Sequence, residues 1–190
     1  GGTDSIAVRH ASGRAVDTAD LEAGRIYIRT HEAGRGALFA GTAEPPIGEG
    51  QNNLLLAHAY YVRPNTINDD GVPSLRRRQL GTGPALIDQE IIPGVEDLQV
   101  QFGIDSDGNG TVDRYVNPDN AALNAGPVVR AVRVWLRMRS ESPEIGFTDT
   151  RTYTYADREY TPAADEADFR RLLVSRTIFL RNEAIPEASL

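Results

Sequence analysis

The chemistry this chain can offer is concentrated in one loop, Asp105-Ser-Asp-Gly-Asn-Gly-Thr-Val-Asp113. Asp105, Asp107 and Asn109 stand at the first, third and fifth positions of a calcium loop of the EF-hand kind. Gly110 stands at the sixth, where the chain turns sharply, Thr111 offers its carbonyl at the seventh, and Asp113 falls at the ninth. Alternate side chains of a tightly turned loop converge on one point, and a hard cation wants several oxygens there. The twelfth position, which holds a bidentate glutamate in a full loop, is Val116, and no helical pattern flanks the segment. Further ligands would have to be water or a distant carboxylate such as Asp119 or Glu96, so the expected site is weak, in the range of extracellular modules. Asp-Gly and Asn-Gly also make hairpin tips without any metal. Three side-chain oxygens at alternating positions exceed what a turn requires, and the expectation is a structural calcium ion held by Asp105, Asp107, Asn109, Thr111 and Asp113.

The other reactive residue types assemble no catalytic set. There is no cysteine, which excludes disulfides and thiolate metal sites. His10, His31 and His58 are dispersed, and His58 shares a face with leucines and a tyrosine, as a hydrogen-bonded core residue would. No nucleophile motif and no Gly-rich phosphate loop occurs. Asp69-Asp70 and Glu96-Asp97 are adjacent pairs, which a regular strand points apart. Arg76-Arg77-Arg78 reads as a solvated edge that blocks strand addition. Trp135, set among Arg133, Arg137 and Arg139, is either an interface anchor or a ring covered by guanidinium stems, and the second reading is preferred. The expectation is a protein that is not an enzyme.

These residues need strands to position them. Leu98, Val100, Phe102 and Ile104 alternate with Gln99, Gln101 and Asp105, which predicts a half-buried strand running into the loop. Val128 to Arg139 predicts the returning strand. Further strands are expected at Ser5 to Arg9, Arg25 to Thr30 with Ile26 and Ile28 inward, Gly36 to Ala40, Leu75 to Leu80 as an outer strand, and Thr150 to Tyr155. Leu54 to Val62 is apolar on both faces and reads as central and covered on both sides. Residues 85–92 fit strand or short helix, Pro162 to Asp168 predicts a helix start, and Phe169 to Arg181 closes the fold before a tail over 182–190. The class is mainly β, an α+β head with antiparallel sheets, in a single soluble globular domain spanning 1–190.

Composition sets the outer bounds. The chain has 190 residues, enough for a real core, and a formal net charge of -7. All 20 basic residues are arginine. An acidic chain lacks the basic surface that nucleic-acid phosphates require. No apolar run long enough to cross a membrane occurs.

Three stretches resemble the PilW family of type IV pilus minor pilins: Gly94-Val-Glu-Asp-Leu-Gln-Val-Gln-Phe-Gly-Ile-Asp-Ser-Asp-Gly-Asn-Gly-Thr-Val-Asp-Arg-Tyr-Val, Val129-Arg-Ala-Val-Arg-Val-Trp-Leu-Arg-Met-Arg, and Arg176-Thr-Ile-Phe-Leu-Arg-Asn. The likeness runs from about Leu75 onward, and Ser5 to Arg9 looks like the family's early strand. It implies a globular head with an N-terminal apolar helix that is absent from this chain, so that membrane anchoring rests on that missing helix. It further implies other minor pilins and a tip adhesin as partners, and a path from the periplasmic face of the inner membrane to the extracellular pilus tip. The function implied is priming of pilus assembly, with twitching motility and adhesion downstream. A head without its helix should expose an apolar groove, with Leu54–Val62 as its floor. The alternatives are a pseudopilin resembling GspJ of a type II secretion tip, and a calcium-dependent surface-binding module.

Overall fold

The computed structural model describes residues 2–31, 36–46, 48–83 and 85–180. The tail expected over 182–190 lies outside them. Twelve strands and two 3-10 turns (Thr18–Asp20 and Ala121–Ala125) make up the described elements, and no α-helix occurs among them. The mainly β, antiparallel class follows directly. Among the described residues no helix is long and apolar enough to cross a membrane.

The chain forms two compact units, one of Gly1–Ser5, Tyr61–Leu75 and Ile92–Leu190, the other of Ile6–Tyr60 and Arg76–Ile91. The second is built on a sheet in which β1 (Ile6–Val16), β2 (Ile26–His31), β3 (Gly36–Ala40), β4 (Gly50–Arg63), β5 (Ser74–Leu80) and β6 (Leu86–Pro93) take part. The path runs β3-β2-β4-β5-β6, with β1 also on β4. β4 is central, as its sequence predicts, but it is not covered on both sides: of its side chains only Asn52 is fully buried, and Leu54 to Val62 are half-buried. The elements around it are strands extending the same sheet, so both apolar faces stay partly open. A groove of about 340 Å³ lies here, lined by Val8, Ala57, His58, Ala59, Leu80 and Leu86 among others.

Three local expectations fail in this unit for identifiable reasons. In β2 the fully buried residues are Tyr27 and Arg29, not Ile26 and Ile28. Arg29 is held by Asn52 Oδ1 at 3.0 Å, Glu44 at 3.0 Å and the Gly48 carbonyl at 2.8 Å. β5 is an inner strand between β4 and β6. Its arginine run is no solvated edge, because Arg76 is buried and paired with Asp88 at 3.2 Å and Glu90 at 3.5 Å from β6. His58 makes edge-to-face contacts with His10 and Tyr60 at 6.5 and 6.3 Å.

The other unit contains the sheet that carries the loop, in the order β12-β9-β7-β8, with β7 at Val95–Asp105, β8 at Arg114–Val116, β9 at Val128–Arg139 and β12 at Arg171–Phe179. Cross-strand partners share a face. Leu98, Leu136 and Val174 are one such row, and Phe102, Val132 and Ile178 another, so one face is apolar except where Arg176 lies opposite Val134. β7 is not half-buried but buried on both faces: Asp97, Gln99 and Asp105 are as inaccessible as Leu98 and Val100. A hairpin of β10 (Tyr153–Tyr155) and β11 (Arg158–Tyr160) supplies tyrosines to the polar side, where the Tyr155 hydroxyl donates to Asp97 Oδ2 at 2.6 Å. Thr3 and Asp4 bond to the edge of β7 at Leu98 and Val100. The helix predicted at Pro162 to Asp168 is a series of turns. Seven residues are too few to repay the cost of helix nucleation without an apolar face to pack.

Candidate metal centre

β7 ends at Asp105, β8 begins at Arg114, and the Asp113 amide donates to the Ile104 carbonyl at 2.9 Å, so the loop is the tip of a β-hairpin. Gly108 (φ 76°) and Gly110 (φ 89°) hold the left-handed backbone that the tight turn needs. Asp105 organises the interior. Its Oδ1 accepts from the Gly108 amide at 2.7 Å and its Oδ2 from the Gly110 amide at 2.9 Å. Asp113 Oδ2 accepts from the Ser106 amide at 2.6 Å, and Asp107 Oδ1 from the Asn109 amide at 3.1 Å. Asn109 Oδ1 accepts from both the Thr111 amide (2.8 Å) and its hydroxyl (2.6 Å).

Asp105, Asp107 and Asp113 each bring a carboxylate oxygen within 4.8 Å of the others. Ligands at 2.3–2.6 Å from a calcium ion are at most about 5 Å apart across it, so the three fit around one ion. Asn109 and Thr111 bond to each other, and coordination by the Asn109 oxygen would require it to release the Thr111 hydroxyl. Glu96 cannot contribute: it lies at the opposite end of β7, nine residues from Asp105, about 30 Å along a strand. Asp119 is not in the cluster.

The sequence reading missed Arg130. Its Nε and Nη2 donate to Asp105 Oδ2 at 3.0 and 2.8 Å, and the Asp105 side chain is fully buried. These bonds, helped by the Gly110 and Gly108 amides and opposed by burial, hold the Asp105 carboxyl below its ordinary value. It is therefore ionised at neutral pH, with Arg130 as its counter-charge. Arg130 reaches it because β9 carries an extra residue. Gly103 pairs with Ala131 and Ile104 with Val129, leaving Arg130 bulged out of the ladder.

The model of a family described as Type IV Pilus-assembly protein W, PilW, matches residues 59–182, more than half of the chain. The chain belongs to the PilW family. No curated protein and no solved structure matches it. Membership places the chain in type IV pilus assembly, a process of the cell envelope. The region matching PilW contains β5 to β12 and the loop, and the early-strand likeness at Ser5 to Arg9 falls outside it.

A second bulge in the PilW-matched region builds the other charged centre. Val95 pairs with Met138 and Asp97 with Arg137, so Glu96 is the extra residue. A regular strand would point Glu96 and Asp97 apart. The bulge instead brings both to the polar side. Glu96 accepts from Arg171 Nε at 2.9 Å and Nη2 at 3.0 Å and from Arg137 Nε at 3.1 Å, with Arg139 Nε 3.9 Å away. The Arg171 side chain is wholly inaccessible. Aromatic rings cap the guanidinium groups: Arg137 lies 3.3 Å from the Tyr160 centroid, Arg139 4.1 Å from Phe169, and Arg133 3.6 Å from Tyr115 and 5.7 Å from Trp135. Trp135 is half-buried, and the Arg133 guanidinium near it stacks on Tyr115. Arg171 also lies 3.8 Å from Glu166, so these carboxylates and guanidinium groups form one connected network, which suits a brace.

Proposed function

We propose that this chain is the head of a minor pilin in the tip and priming complex that initiates type IV pilus assembly, and that it supports twitching motility and adhesion without acting as an enzyme. The observation that carries this reading is the PilW match, which extends over the whole sheet β12-β9-β7-β8. The open groove on the β4 floor supports it further. It is an apolar surface on a sheet, suited to seating the apolar helix that the family resemblance implies. Other minor pilins and a tip adhesin are the partners in this reading, and the pilus tip is the destination.

The loop in this proposal is a brace. Calcium joins Asp105, Asp107 and Asp113 and fixes the β7–β8 hairpin against β9 through the Asp105–Arg130 pair. It has no flanking helices to open, so it holds shape and exposes no target groove as a sensor does.

An in-frame deletion of the gene, complemented with the full-length gene, tests the assignment. The expected result is loss of surface pili and twitching, restored by complementation. Wild-type piliation in the deletion strain would overturn it. Millimolar calcium should raise the melting temperature of the purified protein by several degrees, and Asp105→Ala with Asp107→Ala should remove the shift. An unchanged melting curve across calcium concentrations would remove the ion from the proposal.

A further inference from the structure

Among the described residues β12 ends its sheet, with no strand on its outer edge. The hydrogen-bond phase of that edge follows from two bonds. The Leu180 amide donates to the Arg130 carbonyl at 2.8 Å, and the Ser140 amide donates to the Arg170 carbonyl at 2.9 Å. In an antiparallel ladder such pairs recur every second residue. The even-numbered residues of β12 therefore bond inward to β9, and Arg171, Leu173, Ser175, Thr177 and Phe179 point their backbone groups outward. The carbonyl of Arg171 is capped, accepting from Arg151 Nη2 at 2.9 Å and lying 3.4 Å from the Tyr153 hydroxyl. Among the described residues, no element pairs with the outward groups of the other four.

The other end of this sheet is short, since β8 has three residues. In the other sheet the edges are guarded, short or irregular: β6 carries Asp88 and Glu90, β3 has five residues, and β1 shifts register between Ala11 and Ala15. β12 has nine residues with neither proline nor glycine, and its apolar row remains in water: Leu172 is 60% exposed, Val174 38% and Ile178 52%. One exposed charge, Arg176, interrupts the apolar row, and no described carboxylate pairs with it.

We propose that the β12 edge is a strand-addition site for another protein, taking an extended segment with apolar residues at alternate positions and a carboxylate placed to meet Arg176. Main-chain bonds to Leu173, Ser175, Thr177 and Phe179 supply affinity, and the apolar row with its single cation supplies register. A second copy of this chain fits poorly. Its β12 has no acidic residue from 171 to 180, so self-pairing sets Arg176 opposite an aliphatic side chain or another Arg176. This inference rests on the backbone register and not on the pilin assignment.

Two designed nine-residue peptides of alternating valine and threonine, identical except for a central glutamate or lysine, provide the probe. Binding and amide hydrogen exchange are measured on the full chain. The glutamate peptide should protect the amides of Leu173, Ser175, Thr177 and Phe179 and bind at least tenfold more tightly than the lysine peptide. Arg176→Glu should reverse the preference. Ser175→Pro removes an outward amide and leaves the inward bonds to β9 intact, so it should abolish binding while circular dichroism stays unchanged. Equal binding of the two peptides, protection at another edge, or no protection by either would overturn the proposal. Concentration-dependent protection without peptide would replace the foreign strand with a second copy.

Discussion

Asp149 shows how one residue outside both charged centres can tie stability to pH. Its side chain is inaccessible. Burial alone would raise its carboxyl, but the Arg151 guanidinium at 2.9 Å and the Tyr153 hydroxyl at 2.7 Å outweigh that and bring it down to about 2. The folded value lies below the unfolded one, so the stabilisation is complete above about pH 4 and drains away as pH falls toward 2. Asp149→Asn should therefore cost on the order of 2 kcal/mol at pH 7 and little at pH 2. Urea titrations at both pH values measure this, and an equal loss at both would show that the carboxylate's charge is not what matters. The partner responds at the other end of the scale: Tyr153 is pushed up to about 12 by its burial and by Asp149, so its contribution is lost only in strong alkali.

At the level of elements, the turn into β7 depends on Gly94. It takes φ 79°, its amide donates to the Pro73 carbonyl at 2.7 Å, and its carbonyl accepts from the Arg139 amide at 2.7 Å. A Cβ there would sit 2.5 Å from the Arg139 carbonyl oxygen. Gly94→Ala should destabilise by about 2–3 kcal/mol, whereas Gly108→Ala, at a similar φ but in open space, should cost about 1 kcal/mol. Comparable losses in the two variants, measured by chemical unfolding, would mean that backbone conformation alone accounts for both. Alternation made β7, β9 and β12 legible in the sequence, and the convergence of Asp105, Asp107 and Asp113 was legible in the spacing of the loop. The two bulges were not. Glu96 and Arg130 each look like ordinary members of an alternating strand, and only pairing across the sheet shows them to be extra. Arg76 was misread for a related reason, since its carboxylate partners come from β6.

For the molecule as a whole, an ion at the hairpin tip would act on one unit only. Calcium should slow amide exchange over 104–116 and the adjoining part of β9, while β1 to β4 exchange unchanged. Hydrogen exchange with and without chelator reads this out, and slowing spread evenly over both units would point to a general salt effect instead. The buried charges among the described residues are compatible with that behaviour, because they are paired locally, around Glu96, Asp105, Asp149 and Arg76. Charge here organises the interior of each sheet.

The bulges also decide where the chain tolerates a change of length. Removing Glu96 would leave Val95 opposite Met138 and Asp97 opposite Arg137, with every other β7 side chain still on its own face. Removing Gln99, three residues on, would turn one half of β7 inside out and drive buried leucine and valine positions toward the polar side. A loss at Glu96 or Arg130 thus forfeits a charge cluster but keeps the reading frame of the sheet. A loss at most other positions in these strands forfeits the frame itself.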